Sequence, residues 1–159
     1  MQRSTRVPIT LLLFFLAAVA PAPYREGSWI VAQDAVGSDL ETINAAYDGP
    51  GFDIGMSCQL KPHIAGLRIH MRTPFAVKGR IDLTLRFDDR PPVSVTWLTT
   101  PGQPGTFELF GQPAQEVIIA MDGATLMEIS LQMDPGILAT NTMGDSGPII
   151  RSIRRGCGF

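Results

Sequence analysis

The run with the most obvious chemical potential is Gly144-Asp145-Ser146-Gly147-Pro148. A serine set among glycines can serve acyl transfer, because such a loop shapes the amides of an oxyanion hole. The chemistry also needs a histidine base oriented by a carboxylate. The chain has two histidines, His63 and His70. His63 sits in a proline-containing turn and His70 lies between Arg68 and Arg72. A simpler reading explains every residue of the run: a polar loop in which Asp145 or Ser146 caps a last helix.

The run resembles the Gly-Asp-Ser-Gly-Gly-Pro around the nucleophile of trypsin-like serine peptidases, with one glycine missing. Neither histidine stands in the Ala-Ala-His-Cys setting of those enzymes, which are also two-barrel proteins much longer than 159 residues. A serine hydrolase using Ser146 is therefore the minor alternative, and no catalytic residue is expected. A zinc site wants three or four ligands; His63 has no Asp, Cys or second His close by, and the positive charge of Arg68 and Arg72 beside His70 disfavours a cation. Met56, Met71, Met127 and Met133 could offer thioethers to Cu(I). All four fall on the apolar side of their segments, which points to core packing. No metal and no cofactor is expected.

Arg68, His70, Arg72 and Arg86 could form a basic stripe if their strands are adjacent, a face for an anionic partner. The competing reading is a solvated sheet face with cross-strand pairs to Asp82 and Asp88. Cys58 and Cys157 are the chain's two cysteines. Paired, they would close a loop of about 100 residues, worth up to roughly 4–5 kcal/mol in the chain-entropy model.

That pairing presupposes an oxidising compartment, and the N-terminus points to one. Arg3 and Arg6 precede an apolar run, Val7 to Ala20, followed by small residues. The run is shorter than the ~20 residues of a membrane span and fits a secretory signal over residues 1–22. Ala18-Val19-Ala20 and Ala20-Pro21-Ala22 both match the cleavage pattern, each with a proline just after the cut. An uncleaved N-terminal anchor is the alternative. The first 22 residues carry two arginines and no acid, so the rest holds 11 basic against 15 acidic residues, a net charge of −4. That balance favours neither nucleic acid nor an anionic membrane as partner. The expected location is periplasmic or secreted.

The elements that must position these residues read as strands. Strict alternation marks Phe52–Leu60, Leu67–Arg72, Arg80–Asp88, Val93–Trp97, Phe107–Leu109 and Met127–Met133, and Trp29–Ala32 reads as a first strand. Alternation means one buried face and one wet face. Proline- and glycine-rich joints at 61–66, 88–92 and 100–105 read as turns. The pattern predicts a mainly β domain over 28–159, an antiparallel sandwich or curled sheet of about seven strands. Three segments have helical spacing. Ser38-x-x-Glu41 could box a helix with Leu40, Ile43 and Tyr47 on one side. Pro113–Met121 could be a short helix closing at Gly123, or a strand. The third has Pro148 in its first turn, buries Ile149, Ile150 and Ile153, places Arg151, Arg154 and Arg155 opposite, and stops at Gly156. It would be the C-terminal helix that a Cys58–Cys157 bridge pins to a strand.

Taken in order, these elements resemble the VasI-like family of type VI secretion-associated proteins. The resemblance runs over about 130 residues: an export signal, a strand opening at Trp29 and the Cys58 strand. Then come an outward-polar strand, Arg86-Phe87-Asp88, a strand ending at Trp97, and a terminal helix ending at Cys157. It implies an exported β-sandwich with an accessory role and no established catalytic residues. The expected function is a non-enzymatic accessory protein binding a cell-envelope or secretion-system component. An inhibitor-type binder of a lysozyme-like enzyme is the alternative, with Thr99–Gly105 as its candidate loop.

Overall fold

Alternating apolar and polar side chains do build one antiparallel sheet, which has ten strands among the described residues. The computed structural model describes residues 21–34, 38–39, 41–73, 77–132 and 136–159. The expected export signal falls almost wholly outside them, as do Leu40 and Met133. The strands are β1 (Tyr24–Glu26), β2 (Trp29–Asp34), β3 (Thr42–Asp48), β4 (Phe52–Leu60) and β5 (His63–Met71). They continue as β6 (Arg80–Phe87), β7 (Val93–Thr99), β8 (Thr106–Phe110), β9 (Leu126–Leu131) and β10 (Ile137–Thr142). Helix α1 (Gln112–Ala120) lies between β8 and β9, and α2 (Gly147–Cys157) ends the chain. The spatial order is β1-β2-β3-β4-β5-β8-β7-β6-β9-β10.

One face of the sheet carries the core. Phe52, Ile54, Met56 and Cys58 of β4 stand beside Ala65, Leu67, Ile69 and Met71 of β5, all buried. Phe107 and Leu109 of β8, Trp97 of β7 and Leu83, Leu85 and Phe87 of β6 carry that face onward. The sheet curls until β10 lies against the turn between β3 and β4. Two helices pack on the core side. Helix α1 buries Ala114, Val117 and Ile118 and touches β5, β7 and β8. Helix α2 buries Ile149, Ile150 and Ile153 and touches β3, β4 and β5. Cys157, in its last turn, is bonded to Cys58 with the Cα atoms 5.6 Å apart, within the span a disulfide allows.

Three strands exceed the seven expected: β1, β3 and β10. The segment read as a capped helix after Ser38 is strand β3, paired with β2 on one side and β4 on the other. The cause of the misreading is numerical. Ile43 and Tyr47 are four apart, a spacing that puts two residues on one face of a helix and equally of a strand. Ala45, between them, is buried with Tyr47, which only the two-residue period allows. Pro113–Met121 is helical, as one of its two readings had it.

The last helix departs from expectation at its C-terminal end. Gly156 does not stop it; the helix runs through Cys157 and ends at Gly158, whose φ of +73° suits a residue without Cβ. Gly156 serves a close approach instead, since a Cβ there would stand 2.7 Å from Ile43 Cδ1. At the other end Ser146 precedes the helix but its hydroxyl makes no capping bond. Asp145 Oδ1 accepts from the Gly147 amide at 3.2 Å.

Candidate functional site: a trough on the outer sheet face

The residues that can receive a ligand lie on the wet face of β2, β3, β4, β5 and β8. Cross-strand register sets them in two rows. Ile30, Ala46, Gly55, Arg68 and Glu108 stand side by side in one. Ala32, Asn44, Ser57, Gly66 and Phe110 form the next. The middle of each row is small, with Ile30 at one end of the first row and Phe110 at one end of the second, so the face sinks into a trough of about 410 Å³. Ile30 and Phe110 remain 40 % and 53 % exposed, which leaves apolar walls open to water. Gly66 keeps the floor low: a Cβ there would come 2.4 Å from Ser57 Oγ. Gly55 has room, since its Cβ would meet only Arg68 Cβ at 3.8 Å.

A wider hollow of about 740 Å³ adjoins the trough, sharing Ile30, Ala46, Gly55 and Arg68 and adding Arg25, Asp48, Asp53 and His70. Together they make a depression in which charges occur chiefly in pairs. Arg68 holds Glu108 at 2.8 Å. Arg72, at the rim, bonds Asp48 and holds Asp53 at 2.8 Å. His70 Nδ1 lies 2.9 Å from Thr106 Oγ1. Tyr47, on the core side of the same strand as Asp48, has its phenol pushed up by burial and then by that carboxylate.

The four residues of the expected basic stripe therefore divide. Arg68 and His70 share the outer side of β5, and Arg72 follows directly on its last residue. Arg86 does not join them: β8 and β7 stand between β5 and β6, and Arg86 is opposite Glu128 of β9. The carboxylates facing Arg68 and Arg72 are Glu108, Asp48 and Asp53, not Asp82 and Asp88. Asp82 accepts from the Thr96 hydroxyl. Asp88 accepts from the Thr125 hydroxyl at 2.8 Å and the Leu126 amide at 2.8 Å. These bonds, the hydroxyl's first, hold its carboxyl below the usual range, with Arg90 assisting.

Ser146 lies in a different place altogether. Its side chain is fully buried and its hydroxyl points at the carbonyls of Met121 and Ala124, 3.0 and 3.1 Å away. A nucleophile must be reached by its substrate, and this one is sealed beneath the α1–β9 turn. Both histidines belong to β5, seven residues apart, roughly 23 Å at strand rise, and both are exposed. Met56, Met71 and Met127 are buried in the core. Among the described residues, no three His, Cys, Asp or Glu side chains gather as a metal site would need. Of Thr99–Gly105, the candidate inhibitor loop, Thr99 ends β7 and the rest forms a turn in which the Thr100 amide donates to the Thr106 carbonyl and the Thr106 amide to the Gln103 carbonyl.

Sequence reasoning missed most of the trough: Ile30, Asn44, Ala46, Gly55, Gly66, Glu108 and Phe110. A signal existed for two of them. Phe107 and Leu109 point to the core, so Phe110 must be an aromatic on the wet face. Ile30, between buried Trp29 and Val31, is out of phase in the same way. No family model, curated protein or solved structure matches the chain.

Proposed function

We propose that this chain is an exported, non-enzymatic binding protein that holds a cell-envelope or secretion-system component in the outer trough. Such an accessory role is also what the resemblance to VasI-like proteins implies. The observation that carries the reading is the trough itself, a hollow of ligand size with apolar walls left in water. The geometry of Cys58 and Cys157 supports an oxidising location, and no helix among the described residues is long and apolar enough to cross a membrane. The buried state of Ser146 speaks against hydrolysis at that residue.

Gly55→Leu is the variant of choice, because it fills the trough from an open position. Immobilised wild-type chain, disulfide intact, should retain an envelope component that Gly55→Leu loses. Retention of nothing by the wild type, or of the same components by both, would sink the proposal.

A further inference from the structure

We infer that the inner trough, from Ile30 to Phe110, binds an uncharged oligosaccharide. The inference rests on reading this face as a binding surface and adds the ligand's chemical class.

The backbone of the floor offers a ligand nothing. Strands β2, β3, β4, β5 and β8 are paired with one another through both rows. An extended peptide laid across them would find no free amide or carbonyl to match its own, which is what recognition by strand addition requires. Recognition falls to side chains. Phe110 and Ile30 offer apolar surface, the Ser57 hydroxyl offers a donor and an acceptor, Asn44 offers its amide oxygen, since its Nδ2 already donates to Asp34 and Thr42, and Arg68 with Glu108 offers one of each side by side. A sugar ring has this same double character. Its C–H faces suit an aromatic or aliphatic wall, and its hydroxyls both donate and accept.

Charge narrows the choice further. The inner trough holds two charged side chains, Arg68 and Glu108, and each neutralises the other. An anionic polymer would have to win Arg68 from Glu108, and a cationic peptide the reverse. A neutral hydroxyl can bond to either partner with the pair intact. Four strand spacings of about 4.8 Å give the trough a length of roughly 19 Å, room for several linked rings. A partner protein would find little here to anchor it. The exposed large apolar side chains of the trough are Ile30 and Phe110, a thin centre for a protein interface.

The test is a titration of the wild-type chain, followed by amide chemical shifts. The probes are three neutral hexasaccharides (chitohexaose, cellohexaose and maltohexaose), one acidic oligosaccharide (hexagalacturonate) and a panel of extended peptides. At least one neutral hexasaccharide should bind with a dissociation constant of about 1 mM or tighter and shift Ala46, Gly55 and Gly66. Gly55→Leu and Phe110→Ala should each weaken it at least tenfold. Phe110 is half exposed, so its truncation decides the matter even if Gly55→Leu proves unstable. Silence from all three neutral sugars overturns the inference, as does binding that both variants leave unchanged. If the peptides or the acidic sugar alone bind in a Gly55-dependent way, the trough is still a binding surface and only its ligand class was wrong. If no probe binds and envelope retention is also independent of Gly55, both readings fall.

Discussion

Asn141 of β10 fastens the curled sheet to Phe52 at the start of β4. Its side-chain amide donates to the Phe52 carbonyl at 2.5 Å and accepts from the Gly51 amide at 2.8 Å. The hydroxyl of Tyr47 adds a bond to the Thr142 carbonyl. These bonds do for β10 what a ladder would do for an inner strand. The approach is close enough to need glycine: a Cβ on Gly49 would stand 2.1 Å from Asn141 Nδ2.

Asn141→Ala should therefore cost about 2–3 kcal/mol, because it leaves a buried carbonyl and a neighbouring amide without partners. Urea unfolding should show a lower midpoint with an unchanged slope. A midpoint within error of wild type would mean that β10 is held by its β9 ladder alone.

Cys58 is fully buried and Cys157 is 2 % exposed, so the bridge is out of a reductant's reach while the fold persists. Thiol labelling after mild reductant should appear in denaturant and be absent in native buffer. Replacing both cysteines by serine should lower stability by about 2–5 kcal/mol. Labelling of the native chain would contradict the seating of α2 on β4.

Asp88 ties the end of β6 to the start of β9. Its carboxyl is depressed in the fold, chiefly by the Thr125 hydroxyl and further by the Leu126 and Thr125 amides. A depressed acid contributes stability above its unfolded value, about 3.9. That contribution is lost as pH falls through the lower folded value. Asp88→Asn should lose stability near neutrality and show a flatter acid limb. Parallel acid limbs for variant and wild type would remove Asp88 from the account.

Ser146→Ala withdraws a hydroxyl from the Ala124 and Met121 carbonyls, which should cost about 1 kcal/mol. A fluorophosphonate probe should label neither form. Labelling of the wild type that disappears in the variant would revive the serine hydrolase and refute the buried placement.

Strands β4, β6 and β9 were readable because each buries one face and wets the other, and the sequence repeats that contrast at every second position. Strand β3 was not, because Ile43 and Tyr47 satisfy two periods at once and a paired neighbour on each side decided between them. Strand β10 was missed for a different reason. Its sequence, Ile137 to Thr142, alternates weakly, and its one buried polar residue, Asn141, acts through a partner about ninety positions away in the chain. The trough failed for want of order: Gly55 and Gly66 carry no pattern until β4 and β5 lie side by side.

The sequence by itself determined that the chain is mainly β, that Cys58 lies on an apolar face, and that a helix with isoleucines on one side carries Cys157 to it. These are local properties, set by which side of an element each side chain occupies. Only the tertiary structure decided that β8 and β7 separate β5 from β6, which removes Arg86 from the group around Arg68. Strand order is a long-range choice, made by the packing of whole faces, and no alternation within a strand encodes its neighbour. The same choice set Glu108 beside Arg68 and Phe110 beside Gly66, and so made a trough from residues that alone suggest nothing.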